Sequence, residues 1–443
     1  MNKQNAILLK MFVFAILMGF VLILPSCTKQ DCEETVTYRI MDPNYTSFEE
    51  LRSAVDVEGP RVMENPGKLM ILGDWIFVSE LREGVHVIDN SNPESPTKVS
   101  FINIPGNVDL ASRNGRMYCD SYTDLLTFDV NDPTNITLTS RTENAFEFDW
   151  DRGIVGDPTL GVATSWTERM ITETRSCNLY QIRDGDVFFN SSNLEASGAP
   201  TAVDLGSGND SGVKSSPGEG VVGSTARFSI VEDFLYTISS WDLNLFSLSN
   251  PDQPVSSSSV SVGWSIETLW PYKNSIFIGS QSGMFVYDVS NPANPTYRSE
   301  FNHARGCDPV VVDDKYAYVT IRTGGENQDC GGWTDQLDVI NIENLDNPWL
   351  VQSFEMSNPH GLAIDDANDK LYICDGDAGL KVFDAADVNQ IGNNLLQQFN
   401  NIQASDVISL GDRLFLIGED GFYQYKVAED FQVTELSSIL IGQ

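Results

Sequence analysis

Hydrophobic and polar residues recur along this chain in a block of about forty residues. Each block contains two readable strands, one with an aromatic residue after a turn and a later one that alternates toward an acid or its substitute. The aromatic position occurs seven times, at Phe77, Tyr118, Tyr236, Phe277, Tyr318, Tyr372 and Phe415. Three of the six intervals between these residues are 41 residues long, a period in the range of propeller blades.

A turn with proline and Asn or Asp follows the second readable strand, as in Asn90–Pro93 and Ser290–Pro292. Proline fixes φ and the Asn or Asp caps the bend, so the strand ends there. Apolar stretches before the aromatic strand and after the turn bring each block to four short strands. Four-stranded units repeated radially leave few exposed edges. The pattern predicts an all-β fold, a seven-bladed β-propeller of four-stranded antiparallel blades over residues 67–443.

These blocks, with elements such as Val87-Ile88-Asp89 and Ser-Asn-Pro, resemble the LVIVD repeat family. The resemblance covers roughly residues 67–443 and implies a β-propeller of a bacterial surface or secreted protein, with no established reaction. Three copies depart from the pattern, because Ser247, Asn341 and Lys426 replace the acid. The departure weakens any role for that acid beyond capping its turn.

Two intervals exceed the period, which places insertions at about 144–225 and 323–334. The first leads into the innermost strand of a blade, and the second joins the second and third strands of another. In an antiparallel meander these two loops emerge on the same side. We therefore expect one face of the propeller to carry both insertions.

Residues 1–26 have the pattern of a secretory signal peptide, with Lys3 and Lys10 before the apolar run 11–24. The run is shorter than the roughly 20 residues that a membrane-spanning helix needs. It ends in Leu-Pro-Ser before Cys27, which resembles the lipobox of bacterial lipoproteins and implies that Cys27 is acylated and becomes the mature N-terminus. An ordinary signal peptide with a chance cysteine is the alternative.

Residues 27–66 are expected to be an acidic tether and N-terminal extension. The charges directly after Cys27 resemble the surface-export signal of Bacteroidetes lipoproteins; they are Lys29, Asp31, Glu33 and Glu34. This resemblance implies a lipid anchor in the outer membrane, at the cell surface, and a solvated tether is the alternative. Residues 35–40 would add an outer strand to the propeller, unless the last block closes it alone.

Amino-acid composition and charge limit the classes of molecule that this protein is expected to bind. The chain of 443 residues has 27 Lys plus Arg against 63 Asp plus Glu, a net charge of −36. Nucleic acid is excluded as an expected partner, because binding it requires a concentrated cationic surface. Export permits disulfides, and Cys307 with Cys330 is the preferred pair, with Cys119 and Cys177 as a second pairing. Without Cys-x-x-Cys or paired-histidine spacing, no metal and no cofactor is expected.

Polar residues precede the innermost strands and would lie near the mouth of the channel. They are Asp109, Arg227, Glu267, Asp308, His360 and Asp406. Five tryptophans fall on the same face, namely Trp150, Trp166, Trp241, Trp264 and Trp333. Indoles with carboxylates can bind sugar rings, while long loops also need tryptophans for their own small cores. Buried polar groups need partners, which are one another, water or a ligand.

Two functions follow from this arrangement. The first is a non-enzymatic binding or scaffolding module that presents its decorated face to a glycan, peptide or protein. Asp109, Arg227, Glu267, Asp308, His360, Asp406, Trp264 and Trp333 are its candidate ligand-binding residues. The alternative is a polysaccharide hydrolase or lyase, with His360, Asp308 and Arg227 at the channel mouth. No Gly-x-Ser-x-Gly, phosphate-loop or His-Glu-x-x-His pattern supports a named reaction, and a purely structural role is the third possibility.

Overall fold

A computed structural model describes residues 33–176, 186–189, 220–224, 226–306, 309–323 and 334–442. The chain comprises two compact units, Met1–Asn44 with Ser165–Pro200, and Tyr45–Thr164 with Thr201–Gln443. In the described residues the regular elements are β-strands, apart from the α-helix Phe48–Ser53 and the short 3₁₀ helix Ile391–Asn393. The prediction of an all-β fold built from four-stranded antiparallel sheets is therefore confirmed.

Seven sheets of the larger unit, numbered 1 to 7 in chain order, each contain four consecutive antiparallel strands, called first to fourth. Sheets 1 and 2 contain Pro66–Leu72, Trp75–Glu80, Gly84–Asp89, Thr97–Asn103; and Leu110–Arg113, Arg116–Ser121, Asp124–Asp129, Thr137–Thr142. Sheets 3 and 4 contain Phe228–Val231, Phe234–Ile238, Asp242–Ser247, Val255–Ser261; and Ile266–Tyr272, Ser275–Ser280, Gly283–Asp288, Thr296–Asn302.

Sheets 5 to 7 complete the series. Sheet 5 contains Val310–Val312, Tyr316–Ile321, Gln336–Asn341 and Trp349–Glu355. Sheet 6 contains Leu362–Asp365, Lys370–Cys374, Leu380–Asp384 and Leu395–Phe399, and sheet 7 contains Ala404–Leu410, Arg413–Gly418, Gly421–Val427 and Val433–Leu440. Sheet 1 has two further strands, since Val221–Val222 pairs with its first strand and Asp56–Glu58 with its fourth.

The turns after the third strands repeat one local hydrogen bond. Asp89 Oδ1 accepts from the backbone N–H of Ser91 at 2.8 Å, and Asp288 does the same for Ser290. Where the acid is replaced in sheet 5, Asn341 Oδ1 accepts from the N–H of Glu343 at 3.2 Å. An asparagine carbonyl serves this turn as well as a carboxylate, which explains why the repeat tolerates the substitution.

Consecutive sheets pack face to face through shared apolar clusters. The aromatic residues of the second strands lie inside these clusters, and Phe77, Tyr236 and Tyr318 are at most 1% exposed. Burying such a side chain contributes on the order of 1.5–3 kcal/mol. Sheet 7 packs in turn against sheet 1, because Phe415 shares a cluster with Ile76. The series of sheets therefore closes on itself.

The helix Phe48–Ser53 is fixed to sheet 2. It begins with a capping box, in which Ser47 Oγ accepts from the Glu50 N–H and the Glu50 carboxylate accepts from the Ser47 N–H. Arg52 then donates through Nε and Nη2 to the two oxygens of Asp124, at 2.8 and 3.0 Å. A bidentate pair of this kind is the stronger geometry for a guanidinium and a carboxylate.

The smaller unit, described by itself, contains long strands from two distant parts of the chain. Strand Glu33–Thr46 lies beside strand Gly161–Ser176, with Thr35 and Thr37 hydrogen-bonded to Thr174 and Thr172. A short strand, Val187–Phe189, pairs in parallel with residues 39–41. Residues 35–40 are thus a strand, but they pair with the first insertion and not with sheet 1. The segment expected to be a tether contains regular structure from Glu33 onward.

Candidate functional site

Polar residues meet where the first strands of the sheets begin. Lys68, Asp109, Arg227 and Asp406 share one register, each lying two residues before the residue paired with the aromatic of the second strand. Glu267 and His360 lie one residue earlier in their sheets. We call these six residues, with the side chains that contact them, the mouth. Asp308 and Trp333 lie outside the described residues. Lys68 was missed in the sequence, although its register relative to Phe77 identifies it.

Asp109 connects the first strands of sheets 2 and 3. It is 2% exposed, and its Oδ2 accepts from the backbone N–H of Arg227 at 2.7 Å. The other oxygen accepts from the N–H of Leu110 at 2.8 Å. Burial raises the pKa of Asp109, an effect that Lys68 and the Arg227 N–H and side chain oppose. Both oxygens serve the backbone, so the structure gives Asp109 the role of a scaffold for the mouth.

Asp120 supports the same corner from the second strand of sheet 2. Its Oδ1 accepts from the backbone N–H groups of Val108 and Asp109 at 2.8 and 3.0 Å, and from the side-chain amide of Asn107 at 2.8 Å. Burial raises the pKa of Asp120 to about 6, against the effect of these backbone donors. Its carboxyl therefore titrates close to neutrality.

The first insertion contributes Arg152, which no sequence pattern indicated. Its guanidinium donates to the carbonyl oxygens of Ile238 at 2.5 Å, Ser239 at 2.8 Å and Ile266 at 3.2 Å. Nearby, the Asp149 carboxylate accepts from the N–H of Ser240 at 2.9 Å. Burial, and then the charge of Arg227, lower the pKa of Arg152 to about 9. The insertion thus clamps the ends of sheets 3 and 4.

Glu267 and Arg322 continue the mouth across sheets 4 and 5. Burial raises the pKa of Glu267, and the charges of Arg322, Arg227 and Arg152 oppose this shift. Arg322 directly follows the second strand of sheet 5 and is 6% exposed. Burial lowers its pKa, and the charges of Glu267 and Asp335 oppose this shift. The two side chains belong to one electrostatic network.

His360 lies where sheet 6 begins. Its backbone N–H donates to Cys374 O at 2.7 Å, and its carbonyl accepts from Thr320 Oγ1 at 2.6 Å. The ring Nδ1 is buried and has no hydrogen-bond partner among the described residues. Burial, and then the charge of Arg322, hold the pKa of His360 well below its usual range. The imidazole is therefore neutral at physiological pH.

Arg227 is the half-buried cation at the centre of this network. It interacts electrostatically with the carboxyl groups of Asp109, Asp120 and Glu267 and with the guanidinium of Arg152. Within the described part of the chain, however, its guanidinium makes no hydrogen bond or ion pair. The fold therefore leaves its N–H donors available.

Two other predicted ligand-binding residues have different surroundings. Asp406 is fully buried, and its Oδ1 accepts from the N–H of Val407 at 2.7 Å, so it is shielded from solvent. Trp264 is 44% exposed, with the Arg305 guanidinium 5.0 Å from its ring centroid. Of the predicted residues that are described, Arg227, Glu267, His360 and Trp264 retain exposed surface.

The structure bears on one of the two predicted cysteine pairings, that of Cys119 with Cys177. Cys119 is a free, fully buried thiol, as is Cys374, and burial raises the pKa of both. The pairing of Cys119 with Cys177 is therefore not present, since Cys119 packs in the core between sheets 1 and 2. Cys27, Cys177, Cys307 and Cys330 lie outside the described residues.

Neither a metal-ligand cluster nor a membrane-spanning helix occurs in the described ranges. No group of three or more His, Cys, Asp or Glu residues there is arranged to hold a metal ion. None of the helices in the same ranges has the length and apolar character required to cross a bilayer.

Comparisons with known proteins identify the repeat. The LVIVD repeat model matches residues 67–103 and 268–302, which correspond to sheets 1 and 4. A proposed 6-phosphogluconolactonase from Bacteroides fragilis is similar in structure, with 9% identity, a TM-score of 0.51, and coverage of 85% of this chain and 95% of that chain. A Lactobacillus plantarum protein has 9% identity and a TM-score of 0.50, over 85% and 96% of the two chains. No curated protein matches. The chain therefore contains LVIVD repeats, which are associated with β-propeller proteins.

Proposed function

We propose that this protein is a cell-envelope lipoprotein whose larger unit is a seven-bladed β-propeller and acts as a non-enzymatic binding module. The signal-like segment 1–26 and the lipobox-like residues before Cys27 support the outer-membrane, cell-surface address. Seven consecutive sheets that close on themselves support the blade count, with the eighth sheet formed mainly by strands of the smaller unit. The anchor would be the membrane contact, and a glycan, peptide or protein the ligand.

The polar residues of the mouth are the main support for this proposal. An ionisable residue stands near the start of the first strand in six of the seven sheets, at Lys68, Asp109, Arg227, Glu267, His360 and Asp406. A network that served only the fold would satisfy its buried polar atoms internally. Here, among the described residues, the Arg227 guanidinium and the His360 Nδ1 remain without hydrogen-bond partners. Unused donors and acceptors within a network of buried polar groups are typical of a ligand site.

Binding accounts for the mouth better than catalysis does. General acid–base chemistry needs a donor and an acceptor positioned within hydrogen-bond reach of a substrate. Asp109 uses both carboxylate oxygens on backbone N–H groups, and Asp406 is buried. The polysaccharide hydrolase or lyase is the second candidate, because the His360 Nδ1 has no hydrogen-bond partner among the described residues, but the lowered pKa of His360 makes its imidazole a weak base.

The test is an unbiased ligand search with matched variants. Purified full-length protein would be applied to glycan and peptide arrays and used in pull-downs from envelope extracts. Arg227→Gln alters the mouth, whereas Arg298→Gln alters an arginine on the fourth strand of sheet 4 that pairs with Asp346 at 2.6 Å. We expect wild type and the Arg298 variant to bind, and the Arg227 variant to lose binding. Blank arrays and pull-downs, or equal binding by all three proteins, would contradict the binding function.

A turnover screen separates the second candidate. Polymeric polysaccharides would be incubated with wild type and with His360→Ala, and product release measured. Turnover by wild type that is lost in the variant would favour the enzyme. Turnover that is unchanged in the variant would exclude His360 as its acid or base.

A further inference from the structure

We propose that the ligand of the mouth carries an oxyanion, a carboxylate or a phosphate, and that Arg227 binds it. This inference rests on the proposed binding function and names the chemical class of the ligand. The donors and acceptors of the mouth differ in how far the fold already uses them.

The carboxylates of the mouth already interact within the fold, to different extents. Asp109 accepts from two backbone N–H groups, and Asp120 accepts from two more and from Asn107. Asp335, beside Arg322, accepts from the N–H of Thr323 at 2.8 Å. Asp109 thus uses both oxygens on the backbone, Asp120 uses Oδ1 alone, and Glu267 accepts from the Gln281 side chain. Asp109, Asp120 and Asp335 therefore orient the backbone of the mouth through the oxygens that they use.

The arginines at the mouth differ from one another in how many hydrogen bonds they donate within the fold. Arg152 donates to three backbone carbonyls, and Arg82 donates to the carbonyl oxygens of Arg152 and Gly153 at 3.0 and 3.3 Å. Only Arg227 among these three keeps its guanidinium free of hydrogen bonds to described residues. A guanidinium presents five N–H donors in a planar fork that matches a carboxylate or phosphate bidentately. Of the two unpartnered groups, the His360 ring is neutral and Arg227 carries charge, so the charged donor has the geometry of an oxyanion site.

The charge environment is compatible with this ligand. The protein carries a net charge of −36, which repels anions at long range. Salt screens that repulsion within about 8 Å at 0.15 M ionic strength, whereas a partly buried arginine in contact with an anion is screened much less. At contact distance, the Arg227 guanidinium therefore outweighs the distant acidic residues, while Arg152 and Arg322 offset nearby carboxyl groups such as that of Glu267.

The experiment compares ligands that share one hexose frame. Isothermal titration at pH 7 and 0.15 M NaCl would use D-glucuronate and D-glucose 6-phosphate as the two oxyanion sources. D-glucose supplies the neutral control and D-glucosamine the cationic one, and inorganic phosphate tests whether the anion alone suffices. We expect one or both anionic hexoses to bind, and glucose and glucosamine to bind at least tenfold more weakly.

Variants assign the binding to Arg227. Arg227→Gln should weaken the anionic hexoses at least tenfold, Arg227→Lys should retain part of the affinity because it keeps the charge without the fork, and Arg298→Gln should match wild type. Thermal melts of each variant establish that it is folded. Failure of wild type to bind any anionic probe, or equal affinity in Arg227→Gln, would overturn the inference.

The outcome also separates this inference from the function on which it rests. Suppose that a neutral array ligand binds wild type, that Arg227→Gln abolishes this binding, and that neither glucuronate nor phosphate displaces the ligand. In that case the binding function stands and the oxyanion assignment fails. If arrays, pull-downs and titrations are all blank, both fail.

Discussion

The Asp109 carboxylate accepts a 2.7 Å hydrogen bond from the backbone N–H of Arg227, 118 residues further along the chain. This bond joins the starts of sheets 2 and 3. The first insertion lies between these two sheets in the chain. Because the acceptor is buried and the donor is part of the backbone, the bond fixes the position of the residue that we propose to hold the ligand. Stability and binding are therefore coupled at this point.

Removing the Asp109 carboxylate should destabilise the protein in a graded way. Asp109→Asn keeps one acceptor oxygen, so one of the N–H groups of Leu110 and Arg227 loses its partner, and Asp109→Ala leaves both unsatisfied. Each unpaired buried donor costs about 1–3 kcal/mol, so the alanine variant should be the less stable. Urea unfolding measures the order. Asp346→Ala, at an exposed carboxylate, is the control, and an Asp109→Ala variant as stable as that control would refute the role of the bond.

The Arg152 clamp should be sensitive to geometry more than to charge. Arg152→Lys retains a cation but is unable to reach three carbonyl oxygens at once, and Arg152→Ala leaves all three without this donor. We expect losses of about 2–4 kcal/mol in unfolding free energy, with lysine recovering less than half. Arg169→Ala, which removes a half-exposed pair with Asp42, should cost less than about 1 kcal/mol. Full recovery by lysine would show that charge alone matters.

Asp120 should make the stability of the protein depend on pH. Its folded-state pKa of about 6 lies above its ordinary value of 3.8, so its stabilising contribution is full below pH 4 and is lost as pH rises through 6. Asp120→Asn removes this titration while keeping an acceptor oxygen. Between pH 4 and 7.5, the variant should therefore gain up to about 3 kcal/mol relative to wild type. Urea unfolding across this range measures the difference, and a constant difference would contradict the shifted pKa.

Two glycines of sheet 1 provide a matched test of its turns. Both have positive φ, but a Cβ at Gly84 would lie 1.9 Å from the carbonyl oxygen of Ile102, whereas at Gly73 it would meet nothing within 4 Å. Gly73→Ala should cost about 1–2 kcal/mol from backbone strain alone. Gly84→Ala should cost more, above about 3 kcal/mol, because the third and fourth strands must separate. Similar thermal melting temperatures for the two variants would show that the strands do not approach so closely.

The repeat was readable from the sequence because each sheet encodes it locally. A buried aromatic such as Tyr236 and a turn acid such as Asp89 each depend on residues close by in the chain, so periodicity reveals them. The first strand of sheet 1 has an irregular register around Lys68, between Pro66 and Leu69. Lys68 was missed although it precedes Phe77 by nine residues, as Asp109 precedes Tyr118, so the spacing would have identified it.

The sequence predicted where the insertions lie, but not the structure and contacts of their residues. The partners of Arg152 are backbone carbonyls of sheets 3 and 4, 86 to 114 residues away. Every residue has a backbone carbonyl, so the amino-acid sequence does not indicate which ones accept a hydrogen bond. In the same way, the strand Glu33–Thr46 pairs with a strand more than a hundred residues later, so its composition predicted only a charged tether. Long-range pairing of irregular segments has no period to detect.

The mouth exists only if sheet 7 closes on sheet 1, and the amides of Asn90 and Gln424 report that closure directly. These buried side chains, 334 residues apart, exchange two hydrogen bonds of 2.9 and 2.7 Å. A double-mutant cycle with Asn90→Ala and Gln424→Ala should give a coupling energy of about 1–2 kcal/mol in urea unfolding. The same cycle between Asn90→Ala and Gln397→Ala, whose side chain bonds to Val433, should be additive. Additivity of the Asn90 and Gln424 substitutions would contradict a closed series of seven sheets.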